Sequence, residues 1–322
     1  MTGMGASLPS TRRRQAGGGA ANLARQMGLG QSLAPPEPLG YARLPAARNA
    51  TTMNDIAASA RLANEDYVLR AQAGGVVTLT LNRAAQFNPL SEEMLGALER
   101  QLDEVASDAS ARVVILAAAG EAFCAGHDLK QMRRHHQRNY QLALFEKCSA
   151  MMMKLREIPQ PVIARVQGIA TAAGCQLVAA CDLAIASSEA RFATSGINLG
   201  LFCATPSVAV SRNVAAKKAF EMLFTGEFLS ADEALAAGLI NRVVAAHALD
   251  GETQALAAKI VEKSPLAVSM GKAMFYRQLA MGLPEAYHYA SGVMADNMMA
   301  LDAQNGIDAF IDKKPPPKWL GK

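Results

Sequence analysis

The chain has 322 residues, of which 51% are hydrophobic and only 5% aromatic, enough for one large domain or two small ones but poor in rings for stacking nucleic-acid bases. No apolar run reaches the roughly 18–20 uncharged residues of a membrane span, so a membrane is not expected as a partner. The formal charge of +4 is uneven: residues 1–52 carry six arginines, no lysine and one acid, Glu37, which leaves −1 on the rest and argues against nucleic acid as a partner.

Residues 1–55 are rich in Gly, Pro and Arg, as in "RRRQAGGGAA" and "LAPPEPLG", without sustained apolar periodicity. They read as a disordered tail or as an artefact of an upstream start, with Met53 the alternative first residue. A transit peptide is the third reading, because the segment is Arg-rich and free of acids before Glu37.

The core is expected over 56–247, with order starting near Tyr67. "GGVVTLTLNR" (74–83) predicts a turn and then a strand with β-branched residues. "SEEMLGALERQLDEVASD" (91–108) predicts a helix. Ser91 is its N-cap, two glutamates suit its first turn, and Met94, Leu95, Leu98, Leu102 and Val105 share one face. "RVVILAAAG" (112–120) predicts a buried strand, and a helix follows over 138–156. Further strands are expected at 161–168 and 182–187, with a helix between them. Strands alternating with helices imply an α/β architecture.

Beyond 203 the chain turns mainly helical. "SADEALAAGLINRVV" (230–244) has Ser230 as N-cap, acids in the first turn and Gly238 past the helix end. "SPLAVSMGKAMFYRQL" (264–279) opens with a Ser cap and Pro at the first helical position. Residues 284–311 are also helical, and a boundary near 248 separates the core from a helical region over 248–322. The five cysteines form no C-x-x-C pair and are odd in number, so they read as reduced, packed thiols, with no metal site.

Two strand-to-helix loops share a design. In "FCAGHDLKQM" (123–132) small residues lead to a helix near Asp128. In "QGIATAAGCQLVAACD" (167–182) they lead to a helix near Ala173. Small residues let a ligand approach the backbone, and unpaired N–H groups at a helix start face outward. Two such groups aimed at one point make an oxyanion hole.

The pair of loops resembles the crotonase, or enoyl-CoA hydratase/isomerase, superfamily from about Val76 to Phe310. "LTLNRAAQFNPLSEEM" is similar to its first strand and loop, and "AFCAGHDLKQM" to its first oxyanion loop. "PVIARVQGIATAAGCQLVAACDLAIAS" is similar to the second, and "LFTGEFLSADEALAAGLINRVV" to a late helical segment. "CAGHDLK" at 124–130 and "GINLGLFCATP" at 196–206 resemble one particular branch of the family.

The resemblance implies an α/β fold, a crotonase-type spiral of repeated ββα units with a C-terminal helical trimerisation region. It implies a homotrimer or dimer of trimers and an acyl-CoA or enoyl-CoA substrate. Coenzyme A would arrive as part of that substrate, with no permanently bound cofactor. The compartment would be the cytoplasm, or the mitochondrial matrix in a eukaryote. The amides of His127 and Ala173 would form the oxyanion hole. Ala125, His127, Asp128, Leu129 and Lys130 would line the coenzyme A site with Ala173, and Lys313 or Lys314 would meet a phosphate.

Two departures from the family's pattern stand out. Its hydratases move protons with two glutamates, which fall here at Gln176 and Gly196, and a third acidic position is Ala204. An amide orients groups by hydrogen bonds but accepts no proton, so ordinary hydration is in doubt. The alternatives are a non-catalytic acyl-CoA-binding homologue or another thioester reaction, such as hydrolysis or decarboxylation. Glutamate at both 176 and 196 is expected to raise hydration. Thr194, Ser195 and Asn198 are candidates to contact the acyl group, and Asp128 reads as a helix cap.

Overall fold

The structure is a computed structural model and describes residues 66–322. The tail expected over 1–55 therefore lies outside the described residues, as does the expected start of the core at 56. The described residues all fall in one compact unit.

Gly74 and Gly75, both at positive φ, make the turn that joins strand β1 (Val68–Ala73) to β2 (Val76–Leu81). Positive φ at both turn positions matches the twist of a tight hairpin and costs glycine nothing. The six-stranded sheet has the order β1-β2-β3-β4-β6-β9, from β3 (Val113–Ala118), β4 (Val162–Val166), β6 (Leu183–Ser187) and β9 (Arg242–Val244). Only β1 runs antiparallel to its neighbour. A second sheet holds β5 (Ile169–Thr171), β7 (Arg191–Ala193) and β8 (Leu229–Ser230).

The two sheets expose the repeat. β4 enters the large sheet and β5 the small one, and β6 and β7 repeat the step. After β3, Cys124 forms a lone bridge to Ala170 at the matching place. Each unit then runs into a helix: α2 (Leu129–Arg134), α4 (Ala173–Ala180) or α5 (Ala204–Val210). This is the expected spiral, although β5, β7 and β8 are too short to show in the sequence.

β3 is buried along its whole length because both of its faces are covered. Alternate residues Val114, Leu116 and Ala118 join the main core, which includes α1 (Glu92–Ser107), α3 (Arg138–Glu157) and α4. Val113, Ile115 and Ala117 join a smaller core with Ala257 of α8 (Leu249–Val261). Ser91 caps α1 as expected, accepting from the Met94 amide at 3.2 Å.

α6 (Ala216–Thr225) leads to α7 (Ala231–Ala236), which starts with a full capping box. Ser230 Oγ accepts from Glu233 N at 3.2 Å, and Glu233 Oε2 accepts from Ser230 N at 2.7 Å. Gly238 stands past the helix end at φ +82, as the sequence predicts. The rest of the 230–244 segment differs from the expectation, since residues 242–244 form β9. Ile185–Ser187 pairs with Arg242–Val244, and the open edge of β6 decides that outcome.

The expected boundary at 248 falls just before α8. Beyond it come α9 (Pro265–Gln278), α10 (Leu283–Met298) and α11 (Leu301–Ile311), so the single helical stretch expected at 284–311 is two helices. α9 is fixed to the core by Lys272, whose Nζ lies 2.8 Å from Asp182 Oδ2 and donates to the carbonyls of Leu155 and Gln160. Tyr276 donates to Asp182 Oδ1 at 2.7 Å.

Candidate functional site

The two predicted loops meet. Phe123 N and Cys124 N both donate to Ile169 O, and Thr171 N donates to Cys124 O at 3.0 Å. A β-carbon on Gly174 would stand 2.1 Å from Cys124 O, and one on Gly168 would stand 1.8 Å from Glu121 O. Both positions exclude any side chain because one backbone passes directly over the other.

At the join, Gly126 faces the start of α4. A β-carbon there would lie 3.2 Å from Thr171 O and 3.3 Å from Ala173 N, so His127 follows a residue packed against the Ala173 amide. Ala172 takes φ +51, which turns the chain out of β5 and into α4. Such a conformation costs about 1–3 kcal/mol in a non-glycine residue. It is held by Ala172 N donating to Ala193 O at 3.0 Å and Gln176 N to Ala172 O at 3.1 Å. The N–H groups of His127 and Ala173 donate to no backbone acceptor among the described residues.

A third segment braces the pair. Leu90 N donates to Gly126 O at 2.8 Å, and Ala125 N to Phe87 O at 3.0 Å. Phe87 and Asn88 both have positive φ. The fully buried Asn88 accepts from Arg83 N at 2.8 Å and donates to the carbonyls of Ala119 and Ala122, each at 2.9 Å. Gln167 donates to the carbonyls of Ala118, Gly120 and Ala122. Neither residue stood out in the sequence. The Asn-Pro pair at 88–89 was the available signal, as a turn marker.

The remaining predicted residues separate by environment. Ala125, Leu129 and Lys130 are exposed beside the first loop. Asp128 is the helix cap expected of it, accepting from Lys130 N at 2.8 Å and Gln131 N at 3.0 Å. Lys313 is exposed past the end of α11, and no hydrogen bond or ion pair joins it to either loop among the described residues. Thr194, Ser195 and Asn198 each make a hydrogen bond within the fold. Thr194 donates to Met222 O at 2.7 Å, Ser195 pairs with Thr171 Oγ1 at 2.7 Å, and Asn198 donates to Gly226 O at 3.3 Å.

His127 Nδ1 lies 3.1 Å from Leu90 O, and the ring meets Phe145 edge to face at 5.4 Å between centroids. Burial holds the imidazole below its ordinary range, and the Leu90 carbonyl works against that shift. Gln176 is 4% exposed, and its Oε1 is buried without a hydrogen-bond partner, as is His127 Nε2. Cys175 is fully buried and its thiol is pushed up to about 12 by burial, which makes it a poor nucleophile. Burial also raises Cys203.

Gly196 lies in a tightly packed loop. A β-carbon there would lie 2.6 Å from Leu201 O and 2.8 Å from Cys203 Sγ. The loop is closed over this position, so a glutamate at 196 requires the Leu201 backbone and Cys203 to shift. Two cavities, of about 240 and 410 Å³, are lined by none of His127, Ala173, Gln176 and Gly196. Among the described residues no cluster of three or more His, Cys, Asp or Glu could hold a metal ion, and no helix is long and apolar enough to cross a membrane.

A sequence profile of the family described as Enoyl-CoA hydratase/isomerase matches residues 71–322. The mitochondrial enoyl-CoA hydratase domain-containing protein 3 of Mus musculus is 46% identical over 245 residues, covering 76% of this chain and 82% of that protein. Its Xenopus laevis counterpart is 43% identical over 258 residues, covering 80% and 88%. A solved enoyl-CoA hydratase of Mycobacterium smegmatis is 57% identical with a TM-score of 0.78, covering 79% of this chain and 99% of that one. The human enoyl coenzyme A hydratase domain-containing protein 3 is 45% identical with a TM-score of 0.76, covering 78% and 99%. The mouse, frog and human proteins carry the name of the branch that "CAGHDLK" and "GINLGLFCATP" resemble.

Proposed function

Because this chain belongs to the enoyl-CoA hydratase/isomerase family and has the crotonase fold, we propose that it binds an acyl-CoA thioester and stabilises the thioester enolate between the amides of His127 and Ala173. The observation that carries this reading is the seam between the two loops, where a β-carbon on Gly126 would meet Ala173 N at 3.3 Å and both N–H groups lack a backbone acceptor among the described residues. Fixed dipoles of this kind stabilise charge on the thioester oxygen without reorganising, and one such donor is worth about 3–4 kcal/mol. Ala125, Asp128, Leu129 and Lys130 border the coenzyme A moiety, and Lys313 reaches a phosphate from a neighbouring subunit.

Hydration of the usual kind is not part of the reading, since Gln176 is an amide and position 196 has no room for a side chain. The same two facts favour a second reading, a homologue that holds acyl-CoA without turning it over. The assembly is a trimer or a dimer of trimers. Exposed apolar residues of the C-terminal helices support this, among them Leu283, Tyr287, Met299 and Phe310. The compartment is the cytoplasm, or the mitochondrial matrix in a eukaryote; the frog and mouse relatives are named as mitochondrial.

Calorimetry with butyryl-CoA and with its thioether S-butyl-CoA tests the reading. The thioether lacks the carbonyl oxygen and should bind at least 10-fold more weakly. Equal affinity for the two, or no binding of either, would overturn it. A second assay follows the conjugated absorbance of 2-enoyl-CoAs, which is expected to persist.

A further inference from the structure

The sequence leaves this site without a proton carrier at either usual position, yet the structure holds a basic nitrogen in the first loop. His127 Nδ1 is 3.1 Å from Leu90 O. A carbonyl oxygen only accepts, so Nδ1 carries the proton and the lone pair of the neutral ring is on Nε2. Nε2 is buried and has no hydrogen-bond partner among the described residues. Buried acceptors are ordinarily satisfied, and an exception calls for an explanation. Gln176 Oε1, one turn into the helix that follows Ala173, is a second such acceptor.

Of the five buried side-chain acceptors left without a partner among the described residues, these two belong to the segments that present the amides. His127 supplies both an amide and the ring, so covalent geometry keeps the imidazole within one side-chain length of the thioester oxygen. Burial disfavours charge on the ring, and one contact offsets part of that cost. If Nε2 takes a proton, the Nδ1–H remains on the Leu90 carbonyl, which stabilises the imidazolium. Leu90 is itself fixed, because its N–H donates to Gly126 O at 2.8 Å. Phe145 stands edge to face against the ring at 5.4 Å between centroids.

Resting on the acyl-CoA reading above, we propose that the His127 side chain is the proton acceptor of this site, taking a proton from the α-carbon of a bound acyl-CoA. The α-carbon–hydrogen bond breaks and an Nε2–hydrogen bond forms. The electron pair left on carbon moves into the new carbon–carbon double bond of the enolate, and charge collects on the thioester oxygen between the His127 and Ala173 amides. Reversal returns a proton to carbon. In heavy water that proton is a deuteron once Nε2 has exchanged with solvent, so the activity is α-proton exchange without net turnover.

The test is mass spectrometry of butyryl-CoA incubated in heavy water with the full chain, alongside calorimetry of butyryl-CoA binding. The wild-type chain is expected to incorporate deuterium at the α-carbon. His127→Gln keeps the backbone amide and a donor for Leu90 O but offers no base. It should bind butyryl-CoA within about 3-fold of wild type and exchange about 10²-fold or more slowly, the usual loss for a positioned base. His127→Ala should exchange as slowly and recover when free imidazole is added, whereas a merely structural role would give no rescue. Butyryl-CoA bound by the wild type without exchange, or exchange undiminished in His127→Gln, would overturn the role of His127 alone. Absence of binding to the wild type would overturn the acyl-CoA reading and this proposal with it.

Discussion

Leu201 folds back over Gly196: its N–H donates to the Gly196 carbonyl at 3.0 Å, and its own carbonyl occupies the space a β-carbon on Gly196 would need. The first prediction concerns this contact. Gly196→Ala should lower stability by about 1–3 kcal/mol, the usual cost of forcing an extra carbon into a packed site, read as a fall in thermal midpoint. Gly196→Glu should lower it further and add no hydratase activity. A Gly196→Glu chain that melts like the wild type would show that the loop opens easily.

Gln176→Glu has a different expectation, because it changes one atom in a site that already holds the amide. The variant should fold. Its carboxyl would be buried without a partner, so its pKa should rise above the ordinary value of about 4.3. A raised folded-state pKa means the native state binds the extra proton. The stability deficit of the variant should therefore be absent below about pH 4 and grow as pH rises. Denaturant melts from pH 4 to pH 8 check the sign.

Asn88→Ala removes the acceptor for Arg83 N and the donor to two loop carbonyls. A loss of about 2–4 kcal/mol is expected from these unpaired buried groups. Butyryl-CoA affinity should fall as well, because the carbonyls of Ala119 and Ala122 lie just ahead of the first loop. Unchanged affinity in a folded Asn88→Ala chain would show that the brace does not reach His127.

Lys272→Met tests how the C-terminal layer is held. The substitution keeps the length of the chain but leaves Asp182 buried with Tyr276 as its side-chain partner. Breaking a buried pair in this way costs about 3–5 kcal/mol. Proteolysis should then release fragments from α9 onward before the spiral is cut.

Asp108 gives a pH dependence of opposite sign to that of Gln176→Glu. The hydroxyl and then the amide of Ser110, with smaller help from Arg70, hold its carboxyl down at about 2 against an ordinary 3.8. A depressed folded-state pKa gives stability that is present above pH 3.8 and lost as pH falls toward 2. In acid melts Asp108→Asn should flatten that part of the curve relative to wild type.

Much of the fold was legible because its signals are local. Ser91 and Ser230 cap helices from the positions their sequences predict, and Gly238 ends one at positive φ, since a cap depends on neighbours three or four residues away. The division of the β3 residues between two cores was visible only as an apolar run. Strand β1 was not predicted either; β5, β7, β8 and β9 were missed because two or three residues carry no periodicity and exist only by pairing with chain far away in sequence. Asn88 and Gln167 were missed for the same reason: each holds carbonyls more than thirty residues away.

The sequence by itself determined the family, the two small-residue loops, and the absence of a carboxylate at 176 and 196, because residue identity and spacing are written directly in the chain. Tertiary structure alone decided what those residues can do. It pressed Gly126 onto Ala173 so that two free amides share one seam, and closed Leu201 over Gly196. It also pinned one nitrogen of His127 to Leu90 and left the other unpartnered. Each of these outcomes depends on contacts between segments distant in sequence, which are set only when the strands pair and the loops pack.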